Sequence, residues 1–87
     1  MWFTYILLCH DGSYYTGSTN NVAKRFKEHF SGRGAKYTKS HKPIKLIYQE
    51  KFATKSEALR REAKIKNLSK AEKQILVRNR LGFGMVT

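Results

Sequence analysis

The chain holds a single cysteine, a single proline and only six acidic residues against eighteen Lys and Arg. One thiol forms no internal disulfide, and Cys9 with three scattered histidines makes no zinc framework. Cys9 closes an apolar stretch and reads as a buried, inert thiol, which fits a reduced cytoplasmic setting. No apolar run approaches the roughly 18 residues of a membrane span, so no membrane partner is expected. The opening residues Met1–Cys9 lack a basic leading region and a small-residue cleavage site after them. They read as a strand, not as a signal peptide.

What is present is one domain's worth of chain: 87 residues, 40% of them hydrophobic, with a formal net charge of +12. The apolar content is sufficient for a core, which argues against wholesale disorder. A chain of this size buries only roughly 60% of its unfolded surface, so the core is expected to be small and stability modest. Two packed domains, a large cofactor-binding fold and a repeat array are excluded or nearly so. The basic residues interleave with apolar ones at helical and strand spacing instead of forming a tail. Such a charge repels itself, and a folded basic surface favours a polyphosphate partner, DNA or RNA. Another acidic partner or a merely solvated surface is the blander alternative.

Along the chain, Trp2 to Cys9 is almost continuously apolar, as expected of a strand covered on both faces. His10-Asp11-Gly12-Ser13 is a turn, and Ser13 to Gly17 is the returning strand. Thr19-Asn20-Asn21 offers helix N-caps before a helix over Val22 to Phe30, with Gly32 and Gly34 suited to its C-cap and a flexible loop. Ala35 to His41 reads as a loop with at most one helical turn. Pro43 opens a third strand, Ile44 to Phe52. Thr54-x-x-Glu57 and Ser69-x-x-Glu72 are capping-box patterns, preceding helices near Lys55–Leu68 and Lys70–Arg80. The expected fold is α+β, a small α/β sandwich of order ββαβαα, with one domain over 1–80 and a Gly-broken tail over 81–87, either docked or frayed.

Three patterns bear on chemistry. On the helix after Thr54, Ala58, Leu59, Ala63, Ile65 and Leu68 define an apolar side, and Glu62 falls inside that arc. A carboxylate there needs a partner: a salt bridge with a neighbouring Arg or Lys, or a metal ion such as Mg²⁺, which accepts one carboxylate, several waters and a substrate phosphate. On the helix from Val22, the expected core stripe is Val22, Ala23, Phe26 and Phe30, with Arg25 and His29 stacked along one flank. Arg25 reads as a phosphate-binding fork or as an ordinary boundary residue paired with Glu28, and His29 as a half-buried helix-edge residue or a functional one. The tyrosines form the third pattern. A two-residue Asp11-Gly12 loop pairs Leu8 with Tyr15 and separates Tyr5 from it. A three-residue loop with Gly12 in the left-handed region pairs Leu7 with Tyr15 and Tyr5 with Gly17, so both phenols share a face with a hollow at Gly17. The sequence permits either.

Tyr5, the tripeptide Tyr15-Thr16-Gly17, then Arg25, His29 and Glu62 together resemble the GIY-YIG endonuclease superfamily. The closer resemblance is to its small stand-alone members, which are similar to the domains of excision-repair and structure-specific nucleases. It is carried also by Tyr5–Leu7, Asp11–Gly17, Gly34–Thr38 and Glu57–Glu62, and covers roughly Trp2 to Glu72. The first motif's Gly-Ile is Phe3-Thr4 here, and Thr16 stands in the middle of the second. Some members carry a further asparagine near the end, and Asn79 is near that distance.

The resemblance implies a short antiparallel sheet flanked by helices, with both phenols on one face. It implies a metal-dependent endonuclease, with Tyr15 as general base and Tyr5 shaping the water site. Arg25 would stabilise the transition state, and His29 would relay a proton or contact phosphate. Glu62 would bind one divalent ion, Mg²⁺ or Mn²⁺. Tyr37 would border the cleft. Lys24, Lys27, Arg33, Lys36, Lys39 and Lys42 would line a phosphate track, which positions a backbone without reading bases. DNA is preferred over RNA, with DNA repair as a setting. No separate targeting domain fits in 87 residues, so targeting would fall to a protein partner. A non-catalytic basic nucleic-acid-binding module on the same scaffold is the alternative, and a protein-partner module the third.

Overall fold

A computed structural model of the chain describes the backbone of residues 1–86 and the side chains of residues 1–79. The apolar opening forms β1, Trp2–Cys9, which lies at the centre of a three-stranded sheet of order β2-β1-β3. β2 spans Tyr14–Thr19 and β3 spans Pro43–Phe52, both antiparallel to β1. Position in the middle of the sheet explains why β1 is the most continuously apolar segment: both its faces are covered.

The turn between β1 and β2 sets everything downstream. Cys9 N–H donates to the Ser13 carbonyl at 2.8 Å, and Gly12 N–H donates to the Cys9 carbonyl at 2.9 Å. Gly12 has φ of 84°, a conformation in which a side chain is strained. This is the three-residue loop, and it places Leu7 opposite Tyr15 and Tyr5 opposite Gly17. Tyr5 and Tyr15 therefore share a sheet face.

Four helices complete the chain. α1, Val22–Phe30, is capped by the Asn21 side chain, which accepts from Lys24 N–H. α2 is a single short turn, Lys36–Ser40. α3, Lys55–Lys66, begins at a complete capping box of Thr54 and Glu57. α4, Lys70–Val86, begins at the reciprocal Ser69–Glu72 bonds of 2.8 and 3.1 Å. The element order is ββαβαα with the short α2 interposed before β3.

α4 continues beyond Arg80, where the Gly-broken composition predicts an end. Each glycine in a helix costs only about 1 kcal/mol relative to alanine, which does not by itself terminate one. Whether the side chains of the 81–87 tail dock lies outside the described residues.

The sheet has two unlike faces. On one, Ile6, Tyr48, Ile65 and Val77 form the apolar core, with Tyr14, Ile47 and Leu76 packed against it. Ile6 and Ile65 are fully buried, each worth roughly 1.5–3 kcal/mol in burial. α3 is fixed to this face by polar bonds as well: Thr4 Oγ1 donates to the Ala58 carbonyl at 2.8 Å, and Ser18 Oγ donates to Glu62 Oε1 at 2.7 Å. The other face carries Tyr5, Leu7, Cys9, Tyr15 and Gly17, and is covered by α1 and α2 through His29 and Tyr37. Cys9 is a free, fully buried thiol.

Two expected stripes are corrected. On α1 the buried residue is His29, while Phe30 is 54% exposed and Ala23 is exposed. The seam runs Val22, Phe26, His29, an i, i+4, i+7 row that excludes position 30. On α3 the seam is Ala58, Glu62, Ile65, so Leu59 and Ala63 face outward, Leu59 at 46% exposure.

Candidate active site

The site forms where the β2 edge meets α1 on one side and α3 on the other. Gly17 makes it possible. A β-carbon at this position would lie 2.5 Å from the Tyr5 hydroxyl oxygen and 2.8 Å from its ring carbon. The expected hollow beside Gly17 is therefore filled by the Tyr5 phenol, which crosses the strand there.

The Tyr5 hydroxyl is hydrogen-bonded to His29 Nε2 at 2.8 Å, and His29 Nδ1 to Thr38 Oγ1 at 2.7 Å. The Thr38 hydroxyl lies 2.9 Å from the Ala35 carbonyl, and Ala35 N–H lies 3.4 Å from His29 Nδ1. Two proton arrangements satisfy the imidazole, and only the second also gives Ala35 N–H an acceptor at Nδ1. In one, Tyr5 donates to Nε2, Nδ1–H donates to Thr38, and Thr38 donates to the Ala35 carbonyl. In the other, Thr38 and Ala35 N–H donate to Nδ1, and Nε2–H donates to the phenol oxygen. Gly34 permits the loop to pass close over the ring, because a β-carbon there would overlap His29.

Burial, aided by the neighbouring Arg25 guanidinium, brings the His29 pKa down to about 4. His29 is thus a neutral imidazole near neutral pH, with no surface open to solvent. Burial, reinforced by Tyr15, also holds the Tyr5 phenol well above its usual range, against the opposing influence of the nearby Arg25 guanidinium. Tyr5 and His29 are consequently neutral hydrogen-bonding groups at rest.

Tyr15 is half-buried, its ring 5.0 Å from His29, 6.3 Å from Tyr5 and 5.8 Å from Tyr37. Arg25 Nη1 donates to Glu28 Oε1 at 3.0 Å, and its charge stands near the Tyr5 phenol, where it favours the phenolate. Glu62 enters from the opposite sheet face, beside the β2 edge. Ser18 Oγ donates to its Oε1 at 2.7 Å, and Lys66 Nζ approaches its Oε2 at 2.6 Å. Its charge reaches Tyr5 through space and disfavours the phenolate.

Tyr5, Tyr15, Arg25 and His29 thus form one cluster, with Glu62 at its border. The basic residues Lys24, Lys27, Arg33, Lys36, Lys39 and Lys42 are all exposed, on α1, α2 and the loops beside them. Asn79 is exposed on α4, which packs against β3. Sequence reasoning did not assign Ser18, Lys66 or Thr38. Thr38 lay within the quoted Gly34–Thr38 stretch, but its partner is nine residues away and only tertiary structure joins them. Among the described residues, no three His, Cys, Asp or Glu side chains converge as a ready metal cage. No helix among them is long and apolar enough to cross a membrane.

Residues 1–75 match the family described as the GIY-YIG catalytic domain. The chain belongs to the GIY-YIG family. Its relatives include a UPF0213 protein of Cupriavidus necator, 55% identical over 84% of this chain and 79% of that protein. A UPF0213 protein of Halobacterium salinarum is 50% identical over 87% of this chain and 99% of that one. Among solved structures, a UPF0213 protein of Bacillus halodurans, determined by solution NMR, superposes with a TM-score of 0.57 at 47% identity, covering 88% of this chain and 83% of that one. The match to the GIY-YIG catalytic domain suggests nuclease-type function, and the small stand-alone UPF0213 group is where this chain falls.

Proposed function

We propose that the protein is a divalent-metal-dependent endonuclease that hydrolyses phosphodiester bonds of nucleic acid, DNA in preference to RNA. One observation carries the reading: two phenols and a guanidinium cluster at the β2 edge beside exposed lysines, with a half-buried carboxylate bordering them from the other face of the strand. The basic surface holds the phosphate backbone. Tyr15 is the general base, since Tyr5 is deeply buried and His29 is too weakly basic and shut from solvent. Tyr5 and His29 pack their rings against Tyr15 and position it, and Thr38 anchors the imidazole. Arg25 stabilises the charge that develops on phosphate in the transition state. Tyr37 borders the cleft by stacking on Tyr15.

Glu62 fits a single-carboxylate Mg²⁺ or Mn²⁺ site, because it is partly open, is aligned by Ser18, and has a flexible, half-exposed Lys66 as its other partner. Glu62 would hold the ion, which would supply electrophilic stabilisation of the phosphate. Substrate targeting by a protein partner and a role in DNA repair within the cytoplasm belong to the same reading.

The non-catalytic binder has one observation in its favour: Lys66 already neutralises Glu62 without a metal. Cleavage assays decide between them. Nicked, branched and single-stranded DNA, and RNA, are incubated with the protein and Mg²⁺ or Mn²⁺. The endonuclease reading expects Glu62→Gln, Arg25→Ala and Tyr15→Phe each to lose at least about a hundredfold in cleavage, with binding largely kept. Cleavage undiminished in Glu62→Gln would mark a contaminating nuclease and leave the binder.

A further inference from the structure

The hairpin turn and the connection from α2 to β3 meet over an open hollow of about 380 Å³, lined by His10, Asp11, Ser40, His41 and Lys42. None of these residues belongs to the proposed catalytic set, although Lys42 belongs to the basic surface beside it, and the hollow is joined to that set. The Tyr37 ring stacks on Tyr15 at 5.8 Å and 29°, and His41 stacks on Tyr37 at 4.0 Å and 9°. The rings form a ladder running from the candidate active site to the rim of the hollow. His41 is its last rung, with its own Nδ1 tied to the Tyr37 carbonyl at 3.1 Å. One face of the imidazole is covered by Tyr37, and the residue lines the hollow.

Asp11 gives the hollow a polar edge. Its Oδ1 accepts from Ser13 N–H at 3.0 Å and from Ser13 Oγ–H at 2.6 Å, which fixes the carboxylate. Its Oδ2 stands 3.7 Å from His41 Nε2, too far for a hydrogen bond, and remains able to accept. Lys42 supplies an exposed ammonium at the same rim, 5.8 Å from the Phe30 ring centroid.

We propose that this hollow is a subsite for one unpaired nucleobase of the nucleic-acid strand, and that it favours a base with an exocyclic amine. The base extends the ladder by stacking over His41, its amine donates to Asp11 Oδ2, and Lys42 meets the adjoining phosphate. A base in a duplex has its faces covered and its amine engaged, so it does not enter. The Asp11 charge also repels a phosphate backbone laid directly across the site. The inference rests on the nucleic-acid reading above and adds to it the strand state of the substrate.

Binding measured in EDTA, where metal-dependent cleavage is off, tests it on the full chain. The probes are a short single strand carrying one 2-aminopurine, the same strand carrying unsubstituted purine, and the duplex form of each. Binding is expected to quench 2-aminopurine emission in the single strand only. His41→Ala is expected to remove the quenching and weaken single-strand binding roughly tenfold, with duplex binding changed less than about twofold. His41→Phe keeps a stacking ring and is expected to retain both. Asp11→Leu is expected to erase any preference for 2-aminopurine over purine. Equal weakening of single strand and duplex by His41→Ala, or quenching that survives it, would overturn the subsite while leaving the endonuclease reading intact. A parent chain that binds neither form would overturn both.

Discussion

The two faces of the sheet are held by different physics. The face toward α3 and α4 is an apolar core of Ile6, Tyr48, Ile65 and Val77. The face toward α1 and α2 is held by a file of rings and hydroxyls, Tyr5 to His29 to Thr38, with Tyr15 and Tyr37 beside it. Apolar contacts are non-directional, and a neighbour can adjust without losing all their benefit. A buried hydrogen-bonded chain fixes each atom and fails when one member changes protonation or moves. The candidate catalytic side chains stand on the directional face, and the carboxylate reaches them from the other.

The largest expected effect probes the apolar side. Ile65→Ala removes a fully buried side chain and is expected to cost about 2–5 kcal/mol in denaturant unfolding. A loss below about 1 kcal/mol would mean that this face is not the main source of stability.

Acid probes the opposite side. The folded-state pKa of His29 is lowered from 6.5 to about 4, so the unfolded chain binds the extra proton first as pH falls. The contribution is complete above about 6.5, and is lost as pH drops toward 4, by at most about 3 kcal/mol. Unfolding free energies at pH 7 and 4.5 should differ less in His29→Gln than in the parent. Equal slopes would show that the imidazole is not held neutral by the fold.

Gly17→Ala is a smaller change with a sharper target. Its methyl meets the Tyr5 phenol, and displacing that ring is expected to cost about 1–3 kcal/mol and to disturb the His29 bond. Nucleic-acid cleavage should fall further than stability does, and a variant with unaltered cleavage would remove Gly17 from the site.

The smallest effect has the opposite sign. Thr16 lies opposite Ile6 on the apolar side, and its buried Oγ1 makes no hydrogen bond. Thr16→Val is expected to raise stability by about 1 kcal/mol, read as a higher denaturation midpoint.

Much of this contrast was legible in the residues. The strand over Trp2–Cys9, the caps at Asn21, Thr54 and Ser69, and the core-side placing of Glu62 follow from local pattern, and local pattern is what sets those features. The register of the hairpin was narrowed to two options, because a turn's length and glycine fix it but do not reveal which form is chosen. Phe30 drew the α1 stripe toward itself because hydropathy ranks phenylalanine above histidine. The fold buries His29 instead, because Tyr5 and Thr38, 24 and nine residues away, supply the partners that make a buried imidazole tolerable. No window along the chain contains that information. Leu59 was misplaced on α3 for a related reason: Glu62, bonded to Ser18, takes the seam position that an apolar residue would otherwise hold.

The three residues between Cys9 and Ser13 have a consequence out of proportion to their size. Delete one, let Ser13 be drawn in to rebuild the three-residue turn, and the register shifts by one, so that alternate side chains of β2 exchange sides. Tyr15 would be driven among isoleucines, and Thr16 would inherit its berth beside the imidazole. A deletion outside the candidate site would thus dismantle it by parity alone, leaving every candidate residue present in the gene and the wrong half of a strand facing α1.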